Sequence, residues 1–114
     1  MKAEMNVIDR ILIIRLQGEL DHHSVESVRN NIEQTIADGN HRKVVLSFKG
    51  IDFMDSSGLG LILGRYRSIS QHDGQMVLCE VSENLRKLFE VSGILKIISL
   101  YDTEADACRA LGRK

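Results

Sequence analysis

The 114-residue sequence contains no proline and no tryptophan, only two cysteines, and few aromatic side chains (three Phe and two Tyr). With no proline, no low-complexity tract and no internal repeat, nothing reads as a linker, so one domain over residues 1–114 is expected. Cys79 lies in an apolar run and Cys108 among small residues. Two such cysteines are too few for a secreted disulfide scaffold, and they lack the Cys-x-x-Cys spacing of a redox pair. Both read as buried thiols in a reducing compartment. No apolar run approaches the ~20 residues that cross a bilayer. Residues 1–6 alternate charged and apolar types, which excludes a signal peptide. A cytoplasmic protein without a membrane partner is expected. Neither sign of charge dominates: 15 Lys and Arg face 16 Asp and Glu, for a net charge of −1. That balance argues against nucleic acid, which requires a basic face. What remains is ordinary globular material, 43% hydrophobic and 27% charged. A domain of this size buries roughly two thirds of its unfolded surface, enough for one core.

The pattern of residues predicts the order β-β-α-β-α-β-α-β-α. Ala3, Met5 and Val7 alternate with polar residues, the period of a strand with one open face. Asp9-Arg10 forms a turn, and residues 11–16 form a second strand, giving an N-terminal antiparallel hairpin. Asp21 or Ser24 caps a first helix that buries Val25, Val28, Ile32 and Ile36 and stops at Gly39. Residues 43–48 are a β-branched strand. An apolar approach, residues 51–54, leads into a helix from about residue 57 to 71 with Leu59, Ile62, Leu63, Tyr66 and Ile69 facing inward. Residues 76–79 are a strand. Ser82 caps a helix that buries Leu85, Leu88 and Phe89 and ends at Gly93. Residues 97–100 are the last strand. Thr103 and Asp106 resemble a capping box for a final helix with Ala107, Cys108 and Leu111 inside and Gly112 at its end. The fold class is α/β: a single domain with a mixed, mostly parallel sheet, an antiparallel hairpin at its start and about four flanking helices.

Catalytic constellations are scarce. His22, His23, His41 and His72 have no metal-ligand spacing and read as solvated surface residues. His22 beside Asp21 stands out because the pair opens a helix at a strand end, where α/β folds place binding groups. The segment Asp55-Ser56-Ser57-Gly58-Leu59-Gly60 is more informative, with Ser56 placed as the helix N-cap and two glycines in the first turn. Three readings apply to it. One is a capped helix whose glycines, with Gly64, serve packing. The second is a dinucleotide fingerprint, Gly58-x-Gly60-x-x-x-Gly64 with Glu80 about 20 residues on, although those glycines fall inside the expected helix and not in a turn. The third is a phosphoacceptor: an exposed serine at a helix start, where a phosphate meets N–H groups and the positive end of the dipole. No glycine stands two residues before either serine, which excludes a hydrolase elbow.

This segment resembles the phosphorylation motif of the anti-sigma factor antagonists, the bacterial branch of the sulfate transporter and anti-sigma factor antagonist domains. The resemblance extends from about residue 4 to 112. It includes Gly18-Glu19-Leu20-Asp21-His22-His23 after the second strand, Phe53-Met54 before the motif, Ile62-Leu63-Gly64-Arg65-Tyr66 after it, and Ser92-Gly93-Ile94-Leu95-Lys96-Ile97-Ile98 near the end. Asp21-His22-His23 favours the sporulation branch; a related partner-switching pathway, such as stress response with a different anti-sigma kinase, is the alternative.

The resemblance implies a switch protein and not an enzyme. Its partner would be the anti-sigma-F factor, an ATP-dependent serine kinase. The unmodified chain would bind that kinase and free sigma-F. Phosphorylation of Ser56 would end binding, and a serine phosphatase would restore it. Asp55, Ser57, Gly58, Leu59 and Gly60 would form the docking environment, and Asp21 and His22 would be further partner contacts. ATP and magnesium would belong to the kinase, so this chain would need no cofactor and no metal, and it would be a monomer when free.

Overall fold

The computed structural model describes residues 2–18 and 24–112. Asp21, His22 and His23 lie outside the described residues. Strands β1 (Lys2–Ile8) and β2 (Ile11–Gln17) pair antiparallel through Asp9-Arg10. Both turn residues have positive φ (52° and 69°), the backbone of a two-residue turn that follows the twist of the hairpin. Then follow α1 (Val25–Gly39), β3 (Lys43–Gly50), α2 (Ser56–Gln71), β4 (Gln75–Cys79), α3 (Glu83–Ser92), a single 3-10 turn (Ile94–Lys96), β5 (Leu100–Tyr101) and α4 (Glu104–Gly112). The strands lie in the order β1-β2-β3-β4-β5, antiparallel at β1–β2 and parallel elsewhere.

The sheet separates two apolar layers of unequal size. On one face Leu12, Ile14, Leu16, Val44, Leu46, Phe48, Met76 and Leu78 pack against α1, α2 and α3. There Phe48 meets Phe89 of α3 edge to face, with ring centroids 5.6 Å apart, a favourable geometry for two aromatic quadrupoles. On the other face Ile11, Ile13, Val45, Val77 and Cys79 lie under α4 alone, which contributes Ala107 and Leu111. These alternating runs place successive side chains on opposite faces, so both faces of the central strands are apolar.

Several local expectations need correction. Ser24 stands at the cap position of α1 with no side-chain capping bond to that helix, and the alternative cap, Asp21, lies outside the described residues. The left-handed residue ending α1 is Asn40 (φ 50°), not Gly39, which is the last helical residue. Gly39 is instead a matter of space, since a Cβ there would run into the His41 ring. In α2, Leu61 is buried, whereas Leu59, Leu63 and Tyr66 are only partly covered. The strand expected at residues 97–100 is displaced: the 3-10 turn buries Ile98, leaves Ile97 exposed, and shortens β5 to Leu100 and Tyr101. Ser82 caps α3 as expected, accepting from the Leu85 N–H at 3.2 Å, and Gly93 closes it at φ 83°. Thr103 accepts from the Asp106 N–H at 3.0 Å. Cys79 is buried, but Cys108 is only half-buried, and both are free thiols. Burial, opposed by a hydrogen bond from Ser47, pushes the Cys79 thiol up to about 12, and burial also raises Cys108. Neither is a thiolate at neutral pH.

An ionic latch holds α4 to the sheet. Arg15 of β2 grips Glu104 with two bonds, Nε to Oε2 at 2.9 Å and Nη2 to Oε1 at 2.7 Å. The Glu104 N–H in turn donates to Glu80 Oε2 at 2.9 Å, so Glu80 serves as an anionic group at the start of α4. The Arg15 hydrogen bond holds the Glu104 carboxyl below its ordinary range, and it raises Arg15. A depressed folded-state value contributes stability above the unfolded value of about 4.3 and loses it as pH falls through the folded one. Glu104→Gln is therefore expected to cost about 1 kcal/mol at neutral pH, the scale of a partly exposed ion pair. Urea melts should show that difference shrinking below about pH 4, whereas an unchanged difference in acid would contradict the latch.

Candidate functional site

The parallel strands lead their C-terminal ends toward one rim of the sheet, and the segment that follows β3 forms the candidate site there. Ile51 and Met54 are buried and peg this connection to the core. The Ile51 N–H donates to the Phe48 carbonyl at 3.0 Å. Between the pegs, Asp52 and Phe53 face solvent, so the stretch read as an apolar approach is apolar inward only at Ile51 and Met54.

Asp55, not Ser56, is the N-cap of α2. Its backbone is extended (φ −103°, ψ −171°), and its carboxylate accepts from the Ser57 N–H at 2.9 Å. Its carbonyl accepts from the Gly58 and Leu59 N–H groups at 3.0 and 3.3 Å. Aspartate is a preferred cap because its oxygen satisfies a first-turn donor and its charge suits the dipole. Ser56 is consequently the first helical residue, and it is exposed. Ser57 and Leu59 are half-buried, Gly58 is buried and Gly60 is exposed. The contiguous motif thus forms the cap and first turns of α2, while the relation of Asp21 and His22 to it falls outside the described residues.

Removing the cap gives a test of this geometry. Asp55→Ala should lower stability by about 1 kcal/mol, whereas Asp55→Asn, an equally good cap, should leave it nearly unchanged. Denaturant melts of the two variants compare them directly, and equal losses would show that the carboxylate charge and not the capping bond matters.

The glycines have a different role from the packing considered above. A Cβ added at Gly60 or Gly64 would meet nothing within 4 Å, so neither permits a close contact inside the fold. They open α2 outward instead. Gly60, Gly64 and Ser57 line a cleft of about 430 Å³ with Val25, Glu26 and Arg29 of α1. Arg65 also borders it, paired with Glu33 of α1. The dinucleotide reading fails on the same geometry: Gly58, Gly60 and Gly64 lie within α2, not in a tight turn between strand and helix. Glu80, the acidic residue of that pattern, caps α4 instead.

A larger cavity, of about 630 Å³, lies where α1 and α2 end, at the opposite end of α2 from Ser56. It contains His41, and His72, whose Nδ1 donates to the Ser68 carbonyl at 2.8 Å. Among the described residues there is no cluster of three or more His, Cys, Asp or Glu fit to hold a metal, and no helix is long and apolar enough to cross a membrane. Phe53 and Arg65 escaped the residue-by-residue reading. For Phe53 the available signal was phase: with Ile51 and Met54 inward, it points the other way.

The five-stranded mixed sheet, with an exposed serine opening the helix after β3, places the chain in a class of small mixed α/β domains. Residues 2–107 match the family model of the STAS domain, and the chain belongs to that family. It is 43% identical over 111 residues to the anti-sigma F factor antagonist of Paenibacillus polymyxa, which covers 97% of this chain and 95% of that one. Among solved structures it is similar to the anti-sigma factor antagonist SpoIIAA in its unphosphorylated form, with 34% identity, a TM-score of 0.79, and coverage of 99% of this chain and 100% of that one. It is similar also to the Bacillus cell fate determinant SpoIIAA in the phosphorylated form, with 36% identity, a TM-score of 0.74, and coverage of 96% and 98%. Both neighbours belong with the anti-sigma factor antagonists that the sequence motifs resemble.

Proposed function

We propose that this chain is an anti-sigma factor antagonist controlled by phosphorylation of Ser56. In this reading the unmodified form binds an anti-sigma-F factor that is itself a serine kinase, and so releases sigma-F for sporulation transcription. The kinase then transfers the terminal phosphoryl group of its ATP to Ser56. The Ser56 oxygen forms the new bond to phosphorus, the bond between the terminal and middle phosphates breaks, and ADP keeps that electron pair. A base on the kinase takes the serine proton. A serine phosphatase hydrolyses the ester and restores the binding form. ATP, magnesium and the base belong to the partner, and the chain acts as ligand and substrate.

The observation that carries this reading is the exposed Ser56 hydroxyl at the first helical position of α2, beside a cap that holds the backbone in place. A protein substrate must offer its hydroxyl to a partner-bound nucleotide without unfolding, and a capped first turn does so. The phosphorylated form in which a similar protein has been solved supports the same chemistry. The proposed docking surface comprises Asp55, Ser57, Gly58, Leu59 and Gly60, with Asp21 and His22 as further contacts. Incubation with the anti-sigma-F factor and ATP, followed by mass mapping of the phosphate, tests the proposal. One phosphate on Ser56 is expected, and no incorporation would overturn it.

A further inference from the structure

We infer that Phe53 is the apolar anchor by which this chain seats on its kinase beside Ser56; the inference rests on the function proposed above. The sequence has three Phe and two Tyr. Phe48 and Phe89 are fully buried, and Tyr66 and Tyr101 are partly covered. Phe53 is 56% exposed. A lone exposed aliphatic side chain needs no explanation, but three features set Phe53 apart.

First is its place. Val7 and Ile8 are exposed at the hairpin, Val91 on α3, and Ile97 after the 3-10 turn. Phe53 is three residues before Ser56, a span of at most ~10 Å of extended chain. A pocket that takes its ring therefore lies on the same side of the interface as the reacting oxygen. Second is its order. Ile51 and Met54, 1% and 4% exposed, are anchored in the core on either side of it, and Asp55 fixes the next turn as the cap of α2. The ring is held out by a pinned backbone, so little conformational freedom remains to be lost on binding. Third is its chemistry. Around Ser56 the proposed docking surface is Asp, Ser and Gly, with Leu59 half-buried. Such a surface supplies shape and hydrogen bonds but little apolar area. Interfaces concentrate their binding energy in a few buried residues, aromatic ones prominent among them, at the centre of a polar rim. Phe53 is the exposed aromatic side chain among the described residues that can fill that role.

The test compares full-length Phe53→Ala, Phe53→Leu and Val91→Ala with the unsubstituted chain, using the anti-sigma-F kinase loaded with ADP for binding and with ATP for turnover. Phe53→Ala should weaken binding at least thirtyfold and raise KM by at least tenfold, while kcat stays within twofold. Phe53→Leu should recover most of the affinity, and Val91→Ala should match the unsubstituted chain. Thermal melts should coincide for all four, since neither ring nor methyls are buried at these positions. Binding of Phe53→Ala within threefold of the unsubstituted chain, or a fall in kcat at constant KM, would overturn the anchor alone. Failure of the unsubstituted chain to bind the kinase would overturn the functional reading on which it rests.

Discussion

Replacing Ser56 with alanine is expected to abolish phosphate incorporation while leaving binding to the anti-sigma kinase within a few-fold of the unsubstituted chain. Ser56 is exposed at the start of α2, so losing one hydroxyl opens no cavity and strands no buried partner. No charge is added, and alanine is a better helix former than serine. Ser57→Ala separates the two adjacent hydroxyls. The Ser57 N–H, which bonds the Asp55 carboxylate, is a backbone group and survives that substitution. The cap therefore persists, and phosphorylation should continue at Ser56, at a reduced rate if the Ser57 hydroxyl contributes to docking. Radiolabelled ATP with peptide mapping reads both variants. Label on Ser57, or retained label in Ser56→Ala, would place the acceptor elsewhere.

Phosphorylation of Ser56 is expected to weaken binding to the ADP-loaded kinase by about a hundredfold, a loss of roughly 3 kcal/mol, without refolding the domain. The phosphate adds about −1.5 to −2 charges and three acceptor oxygens. From the sequence, its neutralisation by first-turn N–H groups seemed straightforward. The structure changes that account, because Asp55 already engages the Ser57 N–H through its carboxylate and the Gly58 and Leu59 N–H groups through its carbonyl. The new dianion therefore stands beside a carboxylate that holds the cap. Between solvent-exposed charges about 4 Å apart the repulsion is only about 1 kcal/mol per unit pair. That is small against the roughly 5–15 kcal/mol that stabilises a domain. The fold persists, while the phosphate meets the partner's nucleotide phosphates and must be desolvated to do so. Amide NMR spectra of the two forms should differ around residues 52–60 and agree across the sheet and α4. Shifts spread through the sheet, or tight binding by the phosphorylated chain, would contradict this mechanism.

The order of elements and the position of Ser56 were determined by signals that lie within a few residues of one another. Alternation in residues 3–7, the three-and-four spacing of Val25, Val28 and Ile32, the Ser82 cap and the Gly93 stop each act locally, so each was legible without the fold. The segment from Asp55 to Gly60 was legible for the same reason, since its residues are contiguous at the start of α2. Even there, Asp55 and Ser56 are both good caps, and only the backbone entering from Met54 assigned the cap to Asp55.

What only the tertiary structure decided are the pairs and faces set by distant chain. Arg15 and Glu104 are 89 residues apart, and Glu80 reaches the start of α4 from 24 residues away. Neither meeting has a local signature, because it depends on β2 and β4 standing under α4. The cleft beside Ser57 exists because α1 lies alongside α2, which no property of Gly60 or Gly64 announces. The strand expected at residues 97–100 has the right apolar content, but content does not say which residue faces inward. Ile94 and Ile98 are both drawn into the core, the chain between them closes a 3-10 turn, and only Leu100 and Tyr101 are left to pair with β4. The outward direction of Phe53 has the same physical origin: an apolar residue is not bound to be buried, and its direction is set by where Ile51 and Met54 are pinned.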